Sequence, residues 1–145
     1  MIDKPNDLYL YTLVRTDMQS LGRGKGTAQA AHAANQFTDD HIIQPLLNGV
    51  APSEDVMAWR AQANGFGTTI ALAARLFEMD KAVKLASAIG AKASLVKDPE
   101  YPLVDGDTFH IIPNVVTTAY IFGDKTTLRM ILGDLKLLSN DPVPA

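Results

Sequence analysis

Within its first 37 residues the chain passes from an alternating strand, through a turn of three glycines, into a helix whose inner face is nearly all alanine. In "DLYLYTLVRTD" (7–17), Leu8, Leu10, Thr12 and Val14 alternate with Tyr9, Tyr11 and Leu13, the pattern of a buried strand. In "GTAQAAHAANQF" (26–37), Ala30, Ala33, Ala34 and Phe37 share one face at helical spacing. Alanine makes that face thin, so the helix can lie close against a sheet. A strand joined to such a helix by a glycine turn predicts a layered α/β fold.

The remaining chain repeats the alternation of element types. "TDDHIIQPLLNGVAPSEDVMAWRAQ" carries breakers at Pro45, Gly49 and Pro52, then a cap at Ser53 that starts a second helix ending near Gly65, with Trp59 as a core anchor. "TTIALAA" (68–74) is a strand. "FEMDKAVKLASAIG" (77–90) is an amphipathic helix with Phe77, Ala82, Leu85 and Ile89 inward and Gly90 as its stop. "KASLVKD" (92–98) is a short strand followed by an acidic loop. A strand over 111–124 and a helix over 125–138 complete the chain, with a frayed tail over 139–145.

The predicted order is β-α-α-β-α-β-β-α. It specifies a three-layer α/β/α sandwich of mostly parallel strands, with one of the last two antiparallel and helices on both faces. At 145 residues, positions 1–145 are read as one domain with a real core.

Composition narrows the function. The chain has no cysteine, which removes disulfides, thiol nucleophiles and thiolate metal sites and fits a reducing compartment. No signal peptide or bilayer-length apolar run is readable, so a cytoplasmic location without membrane contact is expected. His32, His41 and His110 have no metal-ligand spacing, and no serine lies in a G-x-S-x-G elbow, so neither a metal site nor an acyl-serine enzyme is expected. The formal net charge is −3, yet residues 14–37 hold Arg15, Arg23 and Lys25 against Asp17 alone. A basic patch on an acidic body is compatible with a polyanionic partner.

The glycine turn Gly22-Arg23-Gly24-Lys25-Gly26 fits neither the dinucleotide fingerprint, which needs G-x-G-x-x-G, nor the triphosphate loop. Its general chemistry remains. Glycines let backbone N–H groups approach an anion, and the following helix presents its positive end. Lys25, Gln29, His32 and Gln36 fall at i, i+4, i+7 and i+11, a stripe of cation, amide and imidazole suited to an anion or an ester. The plain alternative is a solvated helix face. Asp98 sits at a predicted strand end, where open α/β sheets place functional loops, though an Asp-Pro turn with Pro99 also accounts for it. Thr117 and Thr118 are explained by strand propensity alone.

"VRTDMQSLGRGKGTAQAAHAA" resembles the opening signature of the archaeal and eukaryotic (class II) type of peptidyl-tRNA hydrolase. That family has a V-R-x-D strand end followed by G-K-G-K-x-A-A-Q-x-A-H-A. Lys25, Gln29, His32 and Ala33 match it, and Arg23 replaces the first lysine. "WRAQANGFGTTIALAA", "IPNVVTTAYIFGD" and "LGDLKLL" are similar to later family segments in the same order. The family's D-A-G-x-T segment begins here at Asp98 but continues as Pro99-Glu100 in a longer acidic loop, and Thr117 and Thr118 align equally well with a later family threonine.

The resemblance implies a four-stranded mixed sheet between helix layers, no cofactor, and a homodimer as one assembly open to the chain. It implies hydrolysis of the ester joining a peptide, or an N-blocked amino acid, to the 3′ end of tRNA. The implied catalytic set is Lys25, Gln29, His32, Asp98 and Thr118, with Arg15, Arg23 and Lys25 on the substrate's phosphates. His32 or Asp98 would orient or deprotonate water, and Lys25 or a threonine hydroxyl would stabilise the oxyanion. A tRNA- or protein-binding module without turnover is the second reading. An unrelated small-molecule hydrolase or transferase on this scaffold is the third.

Overall fold

The computed structural model describes residues 7–138. The tail expected to fray, 139–145, lies outside the described residues. The chain runs through β1 (Leu8–Arg15), helices α1 (Arg23–Thr38), α2 (Gln44–Leu47) and α3 (Glu54–Arg60), β2 (Thr69–Ala74), α4 (Leu76–Ala88), four successive strands β3 (Lys92–Asp98), β4 (Tyr101–Asp105), β5 (Thr108–Ile112) and β6 (Val115–Asp124), and α5 (Lys125–Leu132). The main sheet is four-stranded and mixed, in the order β2-β1-β6-β3, and a separate two-stranded sheet pairs β4 with β5.

Three strands of this sheet run the same way and the expected antiparallel strand among the last two is β6, although by pairing only β1–β2 is parallel. β1 and β2 are parallel, but β6 enters between β1 and β3 and runs antiparallel to both. The reason lies in the connection. β6 follows the β4–β5 hairpin without a crossover helix, and an antiparallel neighbour needs none.

Period-two alternation along β6 builds both halves of the core. Tyr120 and Phe122 join Leu8, Leu10, Phe37, Val56 and Trp59 beneath α1 and α3. Ala119 and Ile121 turn the other way and join Leu13, Leu72, Met79, Ala82, Ala86, Leu128 and Leu132 beneath α4 and α5. Helices therefore cover both faces, as the order of elements predicted.

Within α4 the buried residues are Met79, Ala82 and Ala86, whereas Phe77, Leu85 and Ile89, expected inward, are exposed. Small alanines let this helix approach the sheet closely and leave the bulky residues on its flanks. The Phe77 ring there carries the Arg75 guanidinium 4.6 Å from its centroid. The last helix also ends earlier than 138. It stops at Leu132, Gly133 follows, and the chain returns to the outer edge of β2, where Ala73 N–H donates to Lys136 O (2.8 Å) and Leu138 N–H to Ala71 O (3.0 Å). One edge of the sheet is thus covered by the chain itself.

Ser53 caps α3 as predicted, its hydroxyl accepting from the Val56 N–H at 3.2 Å. Trp59 is 2% exposed and donates its indole N–H to Thr68 O at 2.8 Å. Gly67 lies against this ring with φ +74°, and a Cβ there would sit 2.2 Å from the ring. Gly67→Ala therefore combines a left-handed backbone with a clash that a buried ring cannot relieve. We expect a loss of about 3 kcal/mol, read by urea unfolding. An unchanged midpoint would mean that Trp59 repacks freely.

Candidate active site

The acidic segment after Asp98 is not a loop. "YPLVD" and "TFHII" pair as β4 and β5 around a two-residue turn in which Gly106 takes φ +61°. The strand predicted over 111–124 is accordingly split. Ile111 and Ile112 belong to β5, and the break falls at Pro113, which has no N–H, and Asn114, which adopts φ +56°. The hairpin root meets the glycine turn. Tyr101 is 1% exposed, packs with Val14 and Leu21, and its hydroxyl lies 2.9 Å from Ser20 Oγ.

Lys25 is placed by this contact. Its ammonium donates to Pro102 O at 2.7 Å and stands 5.0 Å above the centre of the Tyr101 ring. An ammonium has three donors, so two N–H groups remain beyond the Pro102 bond. One residue on, a Cβ added at Gly26 would sit 3.7 Å from Val14 Cγ1, the close helix–strand approach expected of this turn.

One turn along α1, Gln29 does not share the exposure of the other members of the polar stripe, His32 and Gln36. It is 5% exposed and bridges two strand ends. Its Nε2 donates to Asp98 Oδ2 at 2.6 Å, and its Oε1 accepts from the Thr117 hydroxyl at 2.6 Å. The chemistry fixes the amide's orientation: a carboxylate can only accept, so the NH2 faces Asp98 and the oxygen is left for Thr117. The second Asp98 oxygen, Oδ1, accepts from the Glu100 N–H at 2.9 Å, which makes the Asp-Pro segment a turn that aims the carboxylate. Register brings these groups together, because Asp98 pairs with Val115 and Val96 with Thr118 across an irregularity at Val96/Lys97.

Thr118, the threonine carried in the implied catalytic set, contacts Gln29 differently. Its hydroxyl points to the Gln29 backbone carbonyl at 3.4 Å. Thr117, fully buried, makes the short side-chain bond instead. Propensity had given no means of choosing between the two.

His32 is exposed on the flank of α1 and, with Gln29, Asn35, Gln36, Val96, Lys97 and Asp98, lines an open groove of about 560 Å³. Arg23 is exposed at the start of α1. Arg15 is turned to structural use. Its guanidinium binds Asp17 Oδ1 (2.7 Å) and Val116 O (2.9 Å). The Arg15 hydrogen bond holds the Asp17 carboxyl below its usual range, and the other Asp17 oxygen accepts from the Leu76 N–H at the start of α4.

Residues 8–138 match the family described as Peptidyl-tRNA hydrolase PTH2. The chain belongs to that family. Among curated proteins no relative matches it. Of the solved structures, a protein of unknown function from Agrobacterium tumefaciens strain C58 is similar at 10% identity and a TM-score of 0.52, over 92% of this chain and 98% of that one. That likeness concerns the fold alone. The PTH2 family match covers every element described above, including the β4–β5 hairpin and the residues that meet at Gln29. Among the described residues no helix is long and apolar enough to cross a membrane.

A second polar cluster lies further along the same helix. Tyr120 donates its hydroxyl to Asp40 Oδ2 at 2.6 Å and stands 3.1 Å from His41 Nε2. Burial, reinforced by Asp40, pushes the tyrosine pKa well up, so Tyr120 keeps its proton and ties the irregular turn Asp39–Ile43 to the sheet. Sequence reading passed over this cluster because Tyr120 reads simply as a strand residue.

Proposed function

We propose that this protein hydrolyses the ester bond between a peptide, or an N-blocked amino acid, and the 3′ end of tRNA. The observation that carries this reading is the chain Thr117–Gln29–Asp98 lying along α1 from Lys25. A fixed carboxylate, open to a groove and one helical turn from a cation at a glycine-rich helix start, suits an ester that sits beside a phosphate.

In this reading Lys25, with Arg23, holds the acceptor-end phosphates, a contact that positions the substrate without reading its sequence. Asp98 takes a proton from water as the water oxygen attacks the ester carbonyl. The carbonyl–ribose bond then breaks, the acid leaves the tRNA, and the proton passes to the 3′ oxygen. Gln29 holds Asp98 in place, and Thr117 holds Gln29. His32 faces the same groove and is the other group able to orient the water. The Thr117 proton is committed to Gln29, so Lys25 is the better placed of the two oxyanion donors.

The test is release of labelled N-acetyl-aminoacyl groups from tRNA, with unblocked aminoacyl-tRNA as control. Selective release of the blocked form is expected. Salt-dependent tRNA binding without release would mean a binding protein instead, and binding that ignored salt would remove tRNA from consideration.

A further inference from the structure

We infer that the groove between α1 and the outer edge of β3 is a subsite for the acyl peptide, which pairs there as an added strand and is recognised through its backbone. This rests on the ester-hydrolase reading above. Gln29 and Asp98 belong both to the proposed reaction centre and to the groove wall, so the groove begins where the ester would lie. A substrate must leave that point in two directions. On the Lys25 side, the glycine turn and hairpin root supply cations and backbone N–H groups. On the other side, α1 continues through His32, Asn35 and Gln36, about 10 Å beyond Gln29.

Charge decides which half goes where. The groove lining holds three carboxylates, Asp39, Asp98 and Glu100, against one ammonium, Lys97. That surface disfavours a phosphodiester and accepts a neutral peptide. Its remaining lining is one imidazole and three amides with two small aliphatic side chains, Val96 and Pro99, so it offers hydrogen bonds and only a small apolar surface to select a side chain.

The backbone supplies the rest. β3 is the last strand of the sheet, paired with β6 on one side, while the opposite edge strand β2 is covered by the chain's own 136–138 segment. Among the described residues nothing pairs with the outer edge of β3, and its Val96, Lys97 and Asp98 line the groove. An extended peptide beside such an edge gains main-chain hydrogen bonds whatever its sequence. These three positions, which include the irregularity between Val96 and Lys97, span about three acyl residues at about 3.3 Å each, with alternate residues turning their N–H and C=O to the edge. Recognition of this kind suits a substrate whose peptide varies while its ester stays the same.

The experiment measures kcat/KM on tRNAs carrying N-acetylated chains of one, two, three and five glycines, which have no side chains to bind. We expect kcat/KM to rise over the first three residues in unequal steps, roughly fivefold or more where the added residue faces the edge and little where it faces away, then to reach a plateau. Replacing an edge-facing amide N–H of the triglycyl substrate by an ester oxygen should lose about one fivefold step. Asn35→Trp, which fills the groove, should abolish the rise. Equal kcat/KM at every length would overturn the subsite and leave the ester-hydrolase reading standing. Loss of the length dependence on adding a CCA trinucleotide would place RNA in the groove and likewise overturn the subsite. Absence of turnover on the whole series would overturn both.

Discussion

Asp98→Asn should lower kcat on N-acetyl-aminoacyl-tRNA by about 10²- to 10⁴-fold, the usual range for losing a positioned general base. The variant separates chemistry from architecture. Asparagine keeps one oxygen for either the Gln29 amide or the Glu100 N–H, so one of two charge-assisted hydrogen bonds is lost, at a cost of about 1.5 kcal/mol. Melting should fall by only a few degrees. KM should change little, because Asp98 contacts no phosphate in the proposed pose. Single-turnover release followed across pH is the measurement. A variant that keeps the wild-type rate would remove Asp98 as the base and leave His32, which faces the same groove, as the group to test.

Lys25→Met should act on the other half of the substrate. Methionine keeps an apolar stem over the Tyr101 ring and removes the ammonium, its bond to Pro102 O and its two remaining donors. We expect kcat/KM to fall by about 10- to 100-fold, the scale of one charge-assisted hydrogen bond. The slope of log binding against log salt should become shallower by about one. Those two readouts must move together. A loss of rate with an unchanged salt slope would leave Lys25 only its oxyanion role and remove its phosphate contact. No change in either would sink the assignment.

The hairpin gives Lys25 a setting that the glycine turn alone could not. Tyr101 is buried beneath the turn and Pro102 presents its carbonyl to the ammonium, so the inserted segment acts as a wall of the candidate site. Its legibility is instructive. "YPLVDGDTFHII" has a two-residue Gly-Asp turn between alternating runs, a hairpin signal that four nearby acidic residues disguised as a solvated loop.

Sequence by itself determined the layered fold, the close seat of α1, and the family to which the chain belongs. Those follow from local periods and spacings: alternation in β1, alanines and Phe37 at helical intervals, and the matched order Lys25, Gln29, His32. It placed Asp98 at a strand end on the same grounds. Local pattern could not decide what depends on partners distant in the chain. Whether Gln29 faces water or the sheet depends on Asp98, 69 residues away, and on Thr117, 88 residues away. Both threonines are buried, and the site contact of each is set by register across β3 and β6. Phe77 and Leu85 look like core by period, but the alanines of α4 seat the helix so closely that they stay outside. Arg15 reads as a free cation until Asp17 and Val116 O take it. Periodicity fixes which side chains share a face; only tertiary packing decides which of those faces is buried, and against what.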